Sequence, residues 1–146
     1  MTSNPTSTSS PLKSIDAPAR ARVVIAEDDQ AMRHMLANAF RRDDYDVIEA
    51  KNGAELLHLV GALLIEQRNG VSVDLVVSDL RMPFVSGLDV LAHVRRASQT
   101  MPFILITAFG DELTHAEAER LGASVVFDKP FDVNALRARA RDLLGV

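Results

Sequence analysis

The sequence predicts an α/β domain whose parallel sheet is covered by helices on both faces. Three observations favour this class. Five short segments rich in Val, Ile and Phe are apolar nearly throughout, which is typical of strands buried on both faces. Each is followed by a stretch whose apolar residues recur at helical spacing. The length of 146 residues suits one compact domain with a substantial core.

Five predicted strands alternate with five predicted helices. The strands are expected at residues 22–26, 45–49, 73–78, 103–107 and 124–127. Three long apolar stripes indicate helices, and these consist of Met32, Met35, Leu36, Ala39 and Phe40, of Leu56, Leu57, Val60, Leu63 and Leu64, and of Val133, Leu136, Ala140, Leu143 and Leu144. A shorter stripe comprises Leu88, Leu91 and Val94. The weakest helix, residues 111–121, relies on Leu113, Ala116 and Leu121 for its apolar contacts.

The ends of the chain differ in character. Residues 1–20 are dominated by Ser, Thr, Pro and Asn, so we expect a disordered tail ahead of a domain at residues 21–146. A transit peptide is the alternative for this tail, because the segment is rich in Ser and poor in acidic residues. The last apolar stripe ends close to the C-terminus, so we expect no output domain.

Composition argues against several classes of partner. The net charge of −4 disfavours direct nucleic-acid binding, which needs a basic face. The absence of cysteine excludes disulfides and thiolate metal sites, and is compatible with a reducing compartment. No apolar run approaches the roughly 20 residues that span a bilayer, and the N-terminus lacks the apolar segment of a secretory signal. We therefore expect a cytoplasmic protein without a membrane partner.

Chemically capable side chains follow four of the predicted strands. Ligands of open parallel sheets bind at the carboxyl ends of the strands, near the point where the strand order reverses. The residues at these ends are Glu27, Asp28 and Asp29 after the first strand, Asp79 after the third, Thr107 at the end of the fourth, and Asp128 and Lys129 after the fifth. The sequence therefore predicts that acids, a hydroxyl and an ammonium group converge on one rim.

This set of groups suits phosphoryl transfer. Clustered carboxylates repel one another unless a cation joins them, and Mg²⁺ prefers oxygen ligands. Mg²⁺ on carboxylates also receives phosphoryl oxygens, and a carboxylate can attack phosphorus to give an aspartyl phosphate. Because the reaction depends mainly on positioning and charge neutralisation, a lysine and a hydroxyl donor complete the site.

Each residue alone also has a structural explanation. The acids at 27–29 precede a helix, where they cap amide groups. Asp79 fits a turn, Thr107 fits a strand and Lys129 fits a solvated position, so only the combination is specific. The four histidines are expected to be partly exposed helix residues away from the rim and are assigned no role; they are His34, His58, His93 and His115. Three arginines of the last helix are expected on a solvated face and are also assigned no role; they are Arg137, Arg139 and Arg141.

Five blocks of the sequence resemble the response regulator receiver family over about residues 21–144. The blocks are residues 24–29 with Arg33, residues 50–53, residues 76–83 with Gly87 and Leu88, residues 106–108, and residues 127–131. The resemblance implies a flavodoxin-like, doubly wound sheet of five parallel strands in the order 2-1-3-4-5, with helices on both faces. It also implies a stand-alone receiver of two-component signalling.

The resemblance further implies roles for individual residues. Asp79 accepts a phosphoryl group from a histidine kinase or histidine phosphotransfer protein. Its Mg²⁺ is held by Asp28, Asp79 and the backbone carbonyl of Arg81, with Glu27 acting through water. Thr107 and Lys129 contact phosphoryl oxygens, and the bond from Lys129 to Pro130 is cis, which is uncommon among X–Pro bonds.

The implied protein is no enzyme in the usual sense, because it catalyses only its own phosphotransfer and autodephosphorylation. Phosphorylation is expected to switch the surface of the fourth helix, fifth strand and fifth helix for an unknown downstream protein. One departure is Val126, which stands where the family often carries the aromatic residue that reports phosphorylation. Arg81 and Phe109 occupy positions that influence the phosphoryl lifetime in the family.

Two rival functions stay open from the sequence. A degenerate receiver would act as an interaction module without phosphorylation. A Mg²⁺-dependent phosphatase of the haloacid-dehalogenase kind also uses Asp, Thr and Lys, but its nucleophile follows the first strand and a second Asp comes two residues later. Here Asp79 follows the third predicted strand, and Arg81 stands two residues on.

Overall fold

A computed structural model describes residues 20–66, 72–108 and 110–146, without the side chains of residues 63–66. The predicted tail therefore lies outside the described residues up to position 19, as do Phe109 and the side chains of Leu63 and Leu64. In chain order, the elements are β1 (Arg22–Ala26), α1 (Gln30–Arg42), β2 (Asp46–Ala50), α2 (Gly53–Glu66), β3 (Leu75–Asp79), α3 (Gly87–Ala97), β4 (Phe103–Thr107), α4 (Glu112–Arg120), β5 (Val125–Asp128) and α5 (Val133–Leu144).

The five strands form one parallel sheet in the order β2-β1-β3-β4-β5, which confirms the predicted fold class. Every residue of β3 and β4 is buried, whereas β5 at the sheet edge is half-buried and ends in the exposed Asp128. In the described ranges, no helix is both long enough and apolar enough to cross a membrane.

The core lies in two layers, one on each face of the sheet. Successive strand residues point to opposite faces, so Val24 packs in one layer while Val23 and Ile25 pack in the other. The first layer joins the sheet to α2, α3 and α4. The second joins it to α1 and α5 through residues such as Phe40 and Leu136. Because both faces are covered, the strands are apolar on both sides, as their sequences indicated.

Three strands differ from their predicted bounds by one or two residues at an end. Tyr45 is not in β2, because its ring packs 5.6 Å from that of Phe40 and its amide donates to the Phe40 carbonyl to close α1. Residues 73 and 74 precede β3, and the Asp74 carboxylate instead accepts a hydrogen bond from the Arg22 amide at 2.7 Å. β5 begins at Val125 rather than at residue 124, and ends at Asp128, which pairs with Thr107.

Two predicted helix faces are partly wrong. In α4, Leu113 is 81% exposed and Ala116 is exposed as well, and the buried residue is Ala118. This short helix lies beside the edge strand β5, so only a narrow stripe of its surface is covered. In α1, Met35 is 37% exposed. The buried stripe there runs through Arg33, Leu36, Ala37, Ala39 and Phe40.

Candidate functional site

The strand ends named from the sequence meet at one edge of the sheet. β1 and β3 are neighbours, and the chain leaves β1 toward α1 on one face but leaves β3 toward α3 on the opposite face. A crevice forms where the two connections diverge, which is the usual ligand site of an open α/β sheet. Glu27 and Asp28 follow β1, and Asp79 is the last residue of β3.

Three carboxylates line this crevice. Glu27, Asp28 and Asp79 each offer an oxygen atom, and these oxygens lie within 4.8 Å of one another. The side chain of Asp28 is exposed, whereas Glu27 and Asp79 are 2% and 6% exposed. A group of hard oxygen donors at this spacing fits a divalent cation such as Mg²⁺. The residues thus suit the predicted ion, with Asp28 at the solvent side of the cluster.

Lys129 lies against the buried acids. Its Nζ is 3.0 Å from Glu27 Oε1 and 3.4 Å from Asp79 Oδ2, so one ammonium group is shared by two carboxylates. The bond from Lys129 to Pro130 is cis, which confirms the expectation drawn from the family resemblance. The residues predicted at positions 27, 79 and 129 therefore do converge, although they are far apart in the sequence.

Thr107 lies beside the acidic cluster at the end of β4 and is fully buried. Its strand is paired with β3, and the Leu80 amide donates to the Ile106 carbonyl at 2.7 Å just past Asp79. On its other side, the Thr107 carbonyl accepts a hydrogen bond of 2.7 Å from the Lys129 amide. These backbone contacts fix Thr107 between Asp79 and Lys129.

Burial perturbs the ionisation of the site. Burial raises the pKa of Glu27 from 4.5 to about 7, against the lowering effect of hydrogen bonds from the Asp29 amide and from Lys129. Burial likewise raises the pKa of Asp79, although the charge of Lys129 opposes the shift. Burial alone would lower the pKa of Lys129, but its contacts with Glu27 and Asp79 raise it overall. The site therefore favours an added positive charge.

Arg33 and Asp29 position Glu27, and the Asp29 amide donates to Glu27 Oε2 at 3.1 Å. The Arg33 guanidinium is buried and donates to the Glu27 carbonyl at 2.9 Å, and it lies 3.4 Å from Glu49 Oε1. Asp29 caps α1 by accepting a hydrogen bond from the Met32 amide, as the sequence suggested for an acid at this position. No role was assigned to Arg33 from the sequence, because Glu49 becomes its neighbour only once β2 is placed beside β1.

Gly87 allows α3 to start directly against the end of β3. Its amide donates to the Leu80 carbonyl at 2.8 Å, and a side-chain carbon on residue 87 would lie 2.6 Å from the Asp79 carbonyl oxygen. Only glycine permits so close an approach of two backbones.

Arg81 lies in the loop between β3 and α3 and is exposed. The pKa of Asp111, at the start of α4, is lowered chiefly by the Thr114 amide and also by the charge of Arg81.

His115 and Arg137 have partners that the sequence did not predict. His115 was expected to lie away from the rim, but its Nε2 is 2.9 Å from Asp128 Oδ1 at the end of β5. Arg137 was assigned to a solvated face, but its guanidinium binds both oxygens of Asp43 at the end of α1. Both corrections depend on contacts between elements, which helical periodicity does not reveal.

Comparisons with known proteins agree with this geometry. A sequence model of the response regulator receiver domain matches residues 23–141. The chain is 32% identical over 118 residues to the transcriptional regulatory protein YrkP of Bacillus subtilis (strain 168), covering 81% of this chain and 47% of that protein. It is 28% identical to sporulation initiation phosphotransferase F of the same organism, covering 84% of this chain and 93% of that protein. The non-phosphorylated HemR receiver domain from Leptospira biflexa superposes with a TM-score of 0.75 at 26% identity, covering 87% of this chain and 96% of that domain.

Proposed function

Because the chain belongs to the response regulator receiver domain family, we propose that it accepts a phosphoryl group on Asp79 from a histidine kinase or a histidine phosphotransfer protein. The observation that carries this proposal is the pocket in which Asp79 lies beside two further acids and the ammonium of Lys129. Histidine kinases use ATP, so the proposal places the protein in the cytoplasm.

In the proposed reaction, an oxygen of the Asp79 carboxylate forms a bond to phosphorus while the bond from phosphorus to the donor histidine nitrogen breaks. The Thr107 hydroxyl donates to one phosphoryl oxygen and the Lys129 ammonium pairs with another. Both residues lie on elements next to Asp79, so a local movement of each would bring it to the phosphoryl oxygens. Hydrolysis of the aspartyl phosphate by water releases inorganic phosphate and restores the Asp79 carboxylate, so the proposed catalysis acts only on the phosphoryl group that the chain itself carries.

The three clustered carboxylates would suit Mg²⁺. By the family resemblance, Asp28, Asp79 and the backbone carbonyl of Arg81 would hold the ion directly, and Glu27 would contribute through water. When bound, Mg²⁺ neutralises charge on the phosphoryl oxygens. Glu27 is buried and already bound to Lys129 and to the Asp29 amide, which supports a role outside direct coordination.

The output of the proposed switch is the surface formed by α4, β5 and α5, which would bind a downstream protein. Val126 lies in β5, is half-buried and packs in the layer shared with α4. An aliphatic side chain at this position leaves no ring to change rotamer on phosphorylation. Alternatively, the chain relays the phosphoryl group onward. That use is supported by the similarity of the chain to sporulation initiation phosphotransferase F, because the match covers 93% of that protein.

Intact-mass measurement tests the phosphoacceptor proposal. Incubation with acetyl phosphate and Mg²⁺ should add one phosphoryl group to the wild-type chain and none to Asp79→Asn. Asp142→Asn, an exposed acid of α5, is the matched control and should be modified like the wild type. An unmodified wild-type chain, or equal modification of Asp79→Asn, would contradict the proposal.

Two further assays, a spectroscopic titration with Mg²⁺ and an assay for turnover of a phosphate ester, separate the two rival functions. A degenerate interaction module would stay unmodified and would show no spectral change on titration with Mg²⁺. A phosphatase of the haloacid-dehalogenase kind would turn over a generic phosphate ester many times per chain. The presence of Glu27, Asp28, Asp79, Thr107 and Lys129 around one crevice supports the phosphoacceptor over the degenerate module. The position of Asp79 at the end of β3, rather than after β1, disfavours the phosphatase.

A further inference from the structure

A second polar contact lies one residue away from the proposed phosphorylation machinery. Asp128 is the last residue of β5 and directly precedes Lys129. Its Oδ1 is 2.9 Å from Nε2 of His115, which belongs to α4. On the other side of the ladder, Asp128 pairs with Thr107. The contact therefore joins α4 to the strand ends that carry both Thr107 and Lys129.

The loop from β4 to α4 passes directly beneath this contact. A side-chain carbon built on Gly110 would lie 1.7 Å from Asp128 Oδ1 and 2.8 Å from His115 Nε2. Both polar atoms thus rest against the Gly110 backbone, and any other residue at this position would displace them. The pair therefore contacts the chain at Gly110, between the end of β4 and the start of α4.

Stability alone is a weak explanation for the pair. The side chains of His115 and Asp128 are 38% and 54% exposed, and exposed pairs of this kind contribute little to stability because solvent screens them. The arrangement has more consequence for position. Thr107 is joined to His115 by the chain that passes through Gly110, and the His115 ring is hydrogen-bonded to Asp128. Lys129 is the next residue after Asp128, and its amide donates to the Thr107 carbonyl.

These contacts form a ring that connects the site to α4 without involving an aromatic side chain at position 126. Lys129 contacts Asp79 and Glu27, so a change of charge at Asp79 acts on the residue next to Asp128. Thr107 begins the loop on which the pair rests. Val126, by contrast, is aliphatic and half-buried in β5.

We infer that the His115–Asp128 pair, resting on Gly110, is a positioning device that couples the phosphorylated site to α4. The inference rests on the proposed phosphorylation of Asp79. In this role, displacement of Lys129 and Thr107 toward a phosphoryl group changes the Asp128 contact and shifts α4 with its His115. The pair touches no phosphoryl oxygen itself, so it is not a catalytic residue pair.

Amide spectra of the ¹⁵N-labelled full chain test this inference. Acetyl phosphate and Mg²⁺ should shift the amide signals of α4 and the ring signals of His115 in the wild type. In His115→Ala, intact mass should still show one phosphoryl group, but the response of the α4 amides should be lost. His115→Gln keeps an N–H donor near the position of Nε2 and should restore the response.

Two further variants complete the test, one as a control for general disruption and one as a second way to break the contact. His93→Ala removes an exposed histidine from α3 and should leave the α4 response as in the wild type. Gly110→Ala retains both His115 and Asp128 but places a methyl group where their polar atoms meet, which displaces them and should also abolish the response. A full α4 response in phosphorylated His115→Ala would overturn the inference. A wild-type chain that gains no phosphoryl group would instead overturn the phosphoacceptor proposal itself.

Discussion

Replacement of Glu27 by Gln should stabilise the metal-free protein above neutral pH. Glu27 is 2% exposed, and burial raises its pKa from 4.5 to about 7. A carboxyl group with a raised pKa in the folded state binds its proton more tightly there than in the unfolded chain. Stability is therefore lost as pH rises from the unfolded value through the folded value, and the full cost is present above about 7. Gln keeps the shape of the protonated acid and avoids this cost.

The expected size follows from the same shift. One pKa unit corresponds to about 1.4 kcal/mol, so the shift from 4.5 to about 7 sets an upper limit of about 3 kcal/mol. Because Glu27 and Asp79 interact, part of this cost is shared between them, and we expect a gain of about 1–3 kcal/mol at pH 8. A gain of that size moves the urea midpoint upward by about 1 M.

Urea unfolding with a chelator, at pH 4 and at pH 8, measures this effect. The wild type and Glu27→Gln should be equally stable at the lower pH and differ at the higher one. Glu119→Gln makes the same chemical change at an exposed position of α4 and should follow the wild type at both. Saturating Mg²⁺ should then stabilise the wild type more than the variant, by an amount set by the ratio of free ion to dissociation constant. A variant that is less stable than the wild type at pH 8 would refute the reasoning.

Three further changes test the fold around the site by urea unfolding. Arg137→Ala removes the bidentate contact that lowers the pKa of Asp43, and should lower the free energy of unfolding at neutral pH. This difference should vanish as pH falls through the lowered pKa of Asp43; a pH-independent loss would argue against the ion pair. Phe84→Gly should stabilise by about 0.5–1 kcal/mol, because Phe84 is fully exposed at φ 68°, a backbone angle that favours glycine; a loss would show that the ring has a contact. Gly87→Ala should destabilise by about 1–3 kcal/mol and slow modification by acetyl phosphate, since its side chain would meet the Asp79 carbonyl; wild-type stability would contradict this.

The sequence was sufficient for the fold class, because parallel strands buried on both faces are apolar throughout. The bounds of β1 and β4 agree with the prediction residue for residue. The bounds of β3 do not, because Asp74 lies before the strand and accepts a hydrogen bond from Arg22, 52 positions away. Strand ends depend on such distant partners, and local composition does not contain them.

The same distinction holds for the site. Glu27, Asp79, Thr107 and Lys129 were predictable as neighbours, because the ends of parallel strands share one edge of the sheet. Arg33 was not, since its partner Glu49 lies on a different strand whose register must be known first. His115 was not either, because its exposure on a weakly amphipathic helix gave no sign of a contact with β5.

The charge of the pocket explains why Lys129 is the residue through which phosphorylation would act. The pocket contains three carboxylates, and the Lys129 ammonium contacts two of them, those of Glu27 and Asp79. Phosphorylation of Asp79 would convert its carboxylate to an acyl phosphate, which removes the carboxylate charge and places a charge of about −1.5 to −2 on a phosphoryl group farther out. The ammonium would then gain by leaving the carboxylate and following the phosphoryl oxygens. Because Lys129 is covalently bonded to Asp128, a movement of Lys129 would alter the contact between Asp128 and His115. The charge of the phosphoryl group would in this way change the position of α4.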